Sequence, residues 1–336
     1  MKKKQIVVGL FPFDAIGNKY IDLIKSSFLM LNVKVVPYTR SGRYDYIFFN
    51  WYEVADWKLS FKRLLSLMMF ALRGTKIVWT LHNREPHDEK HYYSSLMLMK
   101  ALMVLSHRIV IHSLETLNHI EYSFIKRKTI YVPHPNYIGE YGEMVEVSSL
   151  NNRVLKMLFL GQVRKYKGVD LLVDIVRELN SEAVNLKICG MAPADYGQYI
   201  KRSAGDCPNI EIDLKFVEDE EIAALIASHH ILVFPYDLKS SLNSGSVILS
   251  FSYGRTVLSS MNGTLSGFSD KSMFFSYSYS DYQEHRERLK EMIISIINSY
   301  TGRFDDLLDL GARCREAVYK ENSIENCAKS LNNIFK

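Results

Sequence analysis

KMLFLGQVRKYKGVDLLVDIVRELN, Lys156–Asn180, decides the fold. Its first six residues form a short apolar run closed by Gly161, and its last twelve carry Leu172, Val173, Val176 and Leu179 at helical spacing. A strand, a polar loop and a helix in 25 residues form one half of a βαβ unit. The same alternation continues downstream. Strands are expected at Asn185–Gly190, Ile210–Phe216, Ile231–Tyr236 and Thr256–Ser260, with helices at 218–228, Ser244–Tyr253, Asp281–Tyr300 and Phe304–Lys336. It also runs upstream. Ile6–Phe11, Val33–Tyr38, Tyr44–Asn50, Lys76–Asn83, Arg108–Ser113 and Thr129–Pro135 read as strands, and Asn18–Met30, Lys58–Arg73, Tyr92–Leu105 and Glu115–Ile125 as helices. Met1–Lys4 with the apolar run after it is too short for a signal peptide and is taken as the lead into the first strand.

Two alternating series separated by a Gly-, Glu- and Ser-containing stretch predict an α/β protein with two Rossmann-like domains facing a cleft. The expected division is 1–140, a linker at 141–152, and 153–317, with a helix at about 318–336 packing back on the first domain. A length of 336 residues suits two domains, and 47% hydrophobic content excludes a disordered chain. No run is apolar enough to span a membrane. Cys189, Cys207, Cys314 and Cys327 have no metal-type or disulfide-framework spacing.

Charge is uneven. Residues 1–150 hold 20 Lys+Arg and 13 Asp+Glu (+7), and residues 151–336 hold 22 and 24 (−2), together the +5 of the chain. A basic half admits nucleic acid or an anionic membrane as partner. No zinc-finger or RNP-type motif supports nucleic acid.

Ligands of open parallel sheets bind at the carboxyl ends of the strands, so the loops there are the candidates. Gly161–Gly168 joins a strand to a helix N-terminus and carries Gln162, Arg164, Lys165 and Lys167, which suits an anion such as a diphosphate. It lacks the order of a Walker loop. Ser240–Ser246 precedes another helix, where Asn243, Ser244, Gly245 and Ser246 offer caps, N–H groups and hydroxyls. Thr80–Tyr93 gathers His82, His87, His91, Glu85, Asp88 and Glu89. His82 ends its strand and suits proton transfer or a bond to a sugar hydroxyl, whereas His87 and His91 read as surface residues, and the spacing matches no strong metal site. Val132–Tyr141 sets His134 between two prolines, as a rigid junction does. The basic helix 58–73 and the Met-rich helix 92–105 read first as core helices and second as a face for an anionic membrane.

Trp79–His87, Val132–Tyr141, Phe159–Leu172 and Phe234–Ser260, in this order, resemble the GT-B glycosyltransferases of glycosyltransferase family 4. The resemblance covers nearly the whole chain. It implies a nucleotide-diphosphate-sugar donor in the second domain, a saccharide or polyprenyl-linked saccharide acceptor in the first, surface polysaccharide or glycolipid synthesis, retention of configuration, and no metal or other cofactor. Under it, Arg164 and Lys167 clamp the diphosphate, Gly190 and the backbone of Phe216 and Val217 line the nucleoside, Ser244, Gly245 and Ser246 meet phosphate or ribose, and His82 reaches the reacting sugar. The family's Arg after the strand glycine is Gln162 here. Its pair of glutamates eight positions apart is absent, with Asn243, Ser244, Leu249 and Ser250 in that region, an NSG-type variant. A cytoplasmic enzyme is expected, with a peripheral place on the inner membrane face open. The alternatives are a GT-B nucleotide-sugar 2-epimerase and a non-catalytic nucleotide-sugar-binding assembly subunit.

Overall fold

The computed structural model describes residues 5–15, 17–86, 89–147, 150, 153–239 and 241–336, of Glu89 the backbone alone. Met1–Lys4, His87, Asp88, Ser240 and parts of the expected linker (148, 149, 151, 152) lie outside the described residues. The chain divides into two compact units, residues 1–135 with 321–336, and residues 136–320.

The first unit is built on β1 (Val7–Phe11), α1 (Tyr20–Met30), β2 (Lys34–Pro37), β3 (Tyr46–Asn50), α2 (Trp57–Leu72), β4 (Lys76–Thr80), α3 (Tyr92–Leu105), β5 (Arg108–Ile111), α4 (Ser123–Lys126) and β6 (Thr129–Tyr131). Its six strands are parallel in the order β2-β1-β3-β4-β5-β6. All of β3 is buried, which explains its continuous apolar run: strands covered on both faces do not alternate.

The second unit contains β7 (Leu155–Leu160), α5 (Val169–Leu179), β8 (Val184–Cys189), α6 (Ala194–Ala204), β9 (Ile210–Asp213), α7 (Asp219–Ala227), β10 (Ile231–Phe234), α8 (Gly245–Ser252), β11 (Thr256–Ser260), α9 (Gly263–Gly267), β12 (Phe275–Tyr277), α10 (Tyr282–Tyr300) and α11 (Asp306–Glu321). The order β12-β11-β10-β7-β8-β9 is again wholly parallel. Both sheets are of the doubly wound Rossmann type, so the α/β class with two Rossmann-like domains holds.

Local chemistry sets the element ends. Helix α5 buries Leu171, Leu172, Ile175 and Val176 and stops at Asn180, which adopts the left-handed conformation (φ 40°). Helix α7 carries Asp219, Glu220 and Glu221 in its first turn, where the dipole favours acids. Residues 136–142 are laid onto α8: the Tyr137 N–H donates to Ser252 Oγ (2.9 Å) and the Tyr141 N–H to the Tyr253 hydroxyl (2.7 Å).

Two expected helices differ. Glu115–Ile125 is a 3-10 turn, Leu114–His119, capped by Ser113 Oγ on the Glu115 N–H (3.1 Å), and then the single turn α4; the backbone is extended at Ile120 (φ −97°, ψ 114°) and Tyr122 (φ −87°, ψ 123°), which separates the two. The stretch Phe304–Lys336 is broken at Asn322 and Ser323 into α11 and α12 (Ile324–Leu331). Ser323 Oγ caps the new helix through the Asn326 N–H (3.3 Å), and Asn322 Nδ2 donates to the carbonyl of His134 (2.7 Å). Helix α12 packs on α1, and Cys327, Leu331 and Ile334 join Leu10, Ile21 and Phe28 in one fully buried core. Helices α6 and α9 and strand β12 had no distinct sequence signal.

Candidate active site

In the second unit, the proposed site residues follow four neighbouring strands of one sheet edge. Gly161, Gln162, Arg164 and Lys167 follow β7, Gly190 follows β8, Phe216 and Val217 follow β9, and Asn243–Ser246 follow β10. Two of these loops meet at Gly161. A side-chain carbon on that residue would stand 3.3 Å from Lys167 Nζ and 3.3 Å from Ser246 Oγ. Gly190 permits the next loop to close in, since a Cβ there would lie 2.0 Å from the Gly161 carbonyl oxygen. Gly168, at φ 64°, brings the Lys167 loop against the Pro235 carbonyl in the same way.

Ser244 is fixed from three directions. Its Oγ caps α8 by accepting the Val247 N–H (3.1 Å), its N–H donates to Thr264 Oγ1 (2.8 Å), and its hydroxyl pairs with the Tyr236 hydroxyl (2.8 Å). Lys167 Nζ lies over the rings of Tyr166 (6.0 Å) and Tyr236 (5.8 Å), within cation–π range. Burial, and then Arg164 beside it, lowers the Lys167 ammonium to about 8. It therefore stays charged at pH 7 while partly stripped of water. Burial raises Tyr236 and pushes Tyr166 up to about 12, so neither competes as an anion. Arg164 and Gln162 are exposed. Both amide atoms of Asn243 are buried with no hydrogen-bond partner among the described residues. Lys167 Nζ and Ser246 Oγ thus approach one point over Gly161, beside the N-terminus of α8, an arrangement whose chemistry suits an anion.

In the first unit, His82 does not stand alone. Asn50 ends β3, His82 follows β4, His112 follows β5 and His134 follows β6, so four neighbouring strands each deliver a polar side chain at the carboxyl edge. Tyr20, opening α1, lies among them, its ring 5.3 Å from that of His82, 5.5 Å from His112 and 5.2 Å from His134. The His112 Nδ1–H donates to the Val132 carbonyl (2.8 Å), which leaves its Nε2 to accept from the Tyr20 hydroxyl (2.9 Å). His82 Nε2 donates to Asn50 Oδ1 (3.1 Å), so its Nδ1 carries the lone pair. Burial lowers His112 to about 3 and His134 to about 4, and burial with these two neighbours holds His82 well below the ordinary histidine range. The cluster is neutral at pH 7, and His82 is in the state that accepts a proton or binds a hydroxyl.

Among the described residues no group of three or more His, Cys, Asp or Glu is arranged to hold a metal ion. The four cysteines are free.

Residues 155–273 match the family model of the glycosyl transferases group 1. A GDP-mannose:glycolipid 4-beta-D-mannosyltransferase of Xanthomonas campestris pv. campestris is 28% identical over 195 residues, 58% of this chain and 52% of that protein. The D-rhamnosyltransferase WbpZ of Pseudomonas aeruginosa is 32% identical over 107 residues, 32% of this chain and 27% of that protein. The match spans about half the length of the first of these relatives. Among solved structures, HepE of Anabaena in complex with UDP and glucose superposes with a TM-score of 0.69 at 12% identity, covering 99% of each chain. Sucrose-phosphate synthase of Thermosynechococcus elongatus gives 0.66 at 15% identity, covering 96% of this chain and 80% of that one. At such identities the structures speak to fold alone.

The chain has the GT-B fold, and its residues 155–273 are similar to the glycosyl transferases group 1.

Within this GT-B chain the family match contains the cradle at Gly161, Lys167 and Ser246 and leaves the His82 cluster outside it. Phe216, 38% exposed, and Val217 share the sheet edge with the cradle. Sequence reasoning missed Tyr236, Thr264, Tyr20, Asn50, Trp51 and His112. One signal existed for two of them: Asn50 and His112, like His82, directly follow buried apolar strand residues at a carboxyl edge. Tyr20 carried no such signal, since its place depends on how α1 packs.

Proposed function

We propose that this GT-B chain transfers a hexosyl group from a nucleotide-diphosphate sugar to a saccharide or lipid-linked saccharide acceptor in glycan or glycolipid synthesis. The observation that carries this is the approach of Lys167 Nζ and Ser246 Oγ to one point over Gly161, at the N-terminus of α8. Such a point suits a diphosphate as it departs with growing negative charge, and preorganised cations and N–H groups stabilise that charge without reorganisation. Arg164, exposed beside Lys167, adds a second cation once a ligand is present. Gly190, Phe216 and Val217 are assigned to the nucleoside, and Asn243, Ser244, Gly245 and Ser246 to phosphate, ribose or donor sugar. His82 is assigned to the acceptor hydroxyl. Neither a metal nor another cofactor is expected, because the cations of the protein itself meet the diphosphate. The names of the relatives, a mannosyltransferase acting on glycolipid and a rhamnosyltransferase, support sugar transfer.

Retention of configuration follows from the family resemblance. A specific observation favours the opposite course: Asn243 and Ser250 put no carboxylate in the region of the family's glutamate pair, while a neutral imidazole is available at His82. The anomeric proton signal of the product, compared with that of the donor, separates the two.

The test is binding of UDP, GDP and ADP to the full chain by calorimetry and thermal shift. At least one is expected to bind without added metal, and Lys167→Ala is expected to lower its affinity by about 10–100-fold. Failure of all three to bind overturns the proposal. Incubation with donor alone distinguishes the alternatives, since an isomerised sugar identifies an epimerase. Nucleotide binding without transfer to any acceptor identifies a non-catalytic subunit.

A further inference from the structure

Helix α2 has two unlike faces. Ser60, Ser66, Leu67 and Phe70 are buried. On the other side Trp57, Phe61, Leu65, Met68 and Leu72 are all exposed, from 49% at Met68 to 87% at Leu72. At 3.6 residues per turn these five fall within an arc of about 80°. They form one continuous stripe along the whole helix, unlike single scattered apolar residues, which are ordinary on a protein surface.

The border of the stripe is cationic. Lys58 and Lys62 fall at about 100–140° on the same wheel, both are exposed, and exposed Arg73 follows at the C-terminal end. The one carboxylate at this helix is Asp56, which caps its N-terminus through the Leu59 N–H, and from Trp57 to Arg84 there are six Lys and Arg and no Asp or Glu. Helix α3, packed beside α2, has none either and exposes Tyr93, Lys100 and Val104. Among the described residues no helix is long and apolar enough to cross a membrane.

We infer that α2 is a docking face for an anionic bilayer surface. The helix lies in the plane of the interface, with Trp57, Phe61, Leu65, Met68 and Leu72 at the boundary of headgroups and acyl chains. Lys58, Lys62 and Arg73 lie among the lipid phosphates. Charge selects this occupant. A second copy of the chain meeting the same face would set cations against cations, whereas lipid phosphates complement them. The inference stands apart from the proposed reaction, because lipid binding is read with neither donor nor acceptor present.

The test is co-sedimentation of the full chain with vesicles of phosphatidylglycerol and phosphatidylcholine, against phosphatidylcholine alone. Binding to the anionic vesicles is expected, falling about tenfold or more at high salt. Phe61→Glu with Leu65→Glu is expected to lower partitioning at least tenfold, with thermal unfolding unchanged because both side chains are exposed. Brominated acyl chains are expected to quench tryptophan fluorescence of the wild type, and Trp57→Phe to remove that quenching, a readout that needs no folded double variant. No binding to anionic vesicles at low salt, or quenching unaffected by Trp57→Phe, overturns the inference. So does self-association in sedimentation velocity that the double substitution abolishes, which would make the face an interface between copies.

Discussion

Trp51 lies flat on His82, with ring centroids 4.4 Å apart and planes 15° from parallel, and it reaches that position from a left-handed backbone, φ 50°. Such a conformation costs a non-glycine residue on the order of 1–3 kcal/mol and persists only where its surroundings impose it. The stacked indole fixes the plane of the imidazole while Asn50 fixes its rotation. Trp51→Ala is therefore expected to reduce turnover by roughly 10–100-fold while the affinity for nucleotide stays the same. Trp51→Phe should recover most of the loss. Unchanged kcat in Trp51→Ala would show that the stack has no positioning role.

Lys167 gives a pH dependence with a definite sign. Its ammonium is lowered to about 8, against about 10.4 in an unfolded chain. Between these values the unfolded state binds more protons, so the contribution of this group to stability rises with pH across the window from 8 to 10.4 and is constant and unfavourable below it. Nucleotide affinity runs the other way and falls as pH rises through about 8, where the cation is lost. Lys167→Met is expected to raise Tm at pH 7 and to weaken nucleotide binding. Calorimetry at pH 7 and pH 9.5 on both proteins measures the two effects, and a lower Tm for Lys167→Met at pH 7 would contradict the argument.

Asn243 has two buried amide atoms without partners among the described residues. An unmet polar group of this kind costs about 1–3 kcal/mol. Asn243→Leu should thus leave the empty protein as stable or more stable, and at the same time lower affinity for the nucleotide sugar more than for the bare nucleotide. Loss of stability in that variant, with donor affinity intact, would place the amide in a structural role.

Gly190 carries a steric prediction. With φ 135° and a Cβ position 2.0 Å from the Gly161 carbonyl oxygen, Gly190→Ala is expected to cost about 3 kcal/mol or more and to open the cradle, read as a fall in Tm together with weaker nucleotide binding. Gly139→Ala makes a control, since its φ of 82° is strained but nothing lies within 4 Å of the added carbon.

Much of this architecture was readable from local pattern. The alternation from Ile6 to Ser260 places eleven of the strands, because parallel strands buried on both faces leave dense apolar runs. The helix expected at Glu115–Ile125 failed where the backbone turns extended at Ile120 and Tyr122, a break that periodicity does not see. The cradle was legible because loop, helix N-terminus and cations are neighbours in sequence. The first-unit cluster was legible only at His82. Tyr20, Asn50, His112 and His134 are up to 114 positions apart, and only the strand order β1-β3-β4-β5-β6 makes them neighbours. The exposed stripe on α2 was ambiguous in sequence, since Leu, Met and Phe at helical spacing describe a core face equally well.

The return of residues 321–336 to the first unit has a consequence for biosynthesis. A ribosome releases residues 1–135 first, yet that unit lacks Cys327, Leu331 and Ile334 until another 185 residues (136–320) have been made. At about 5–20 residues per second this delay is on the order of 10–40 s. The second unit, uninterrupted in sequence, can close as soon as it emerges. The half synthesised first is therefore the half completed last, and throughout the interval α1 presents Ile21, Ile24 and Phe28 to solvent without their final cover.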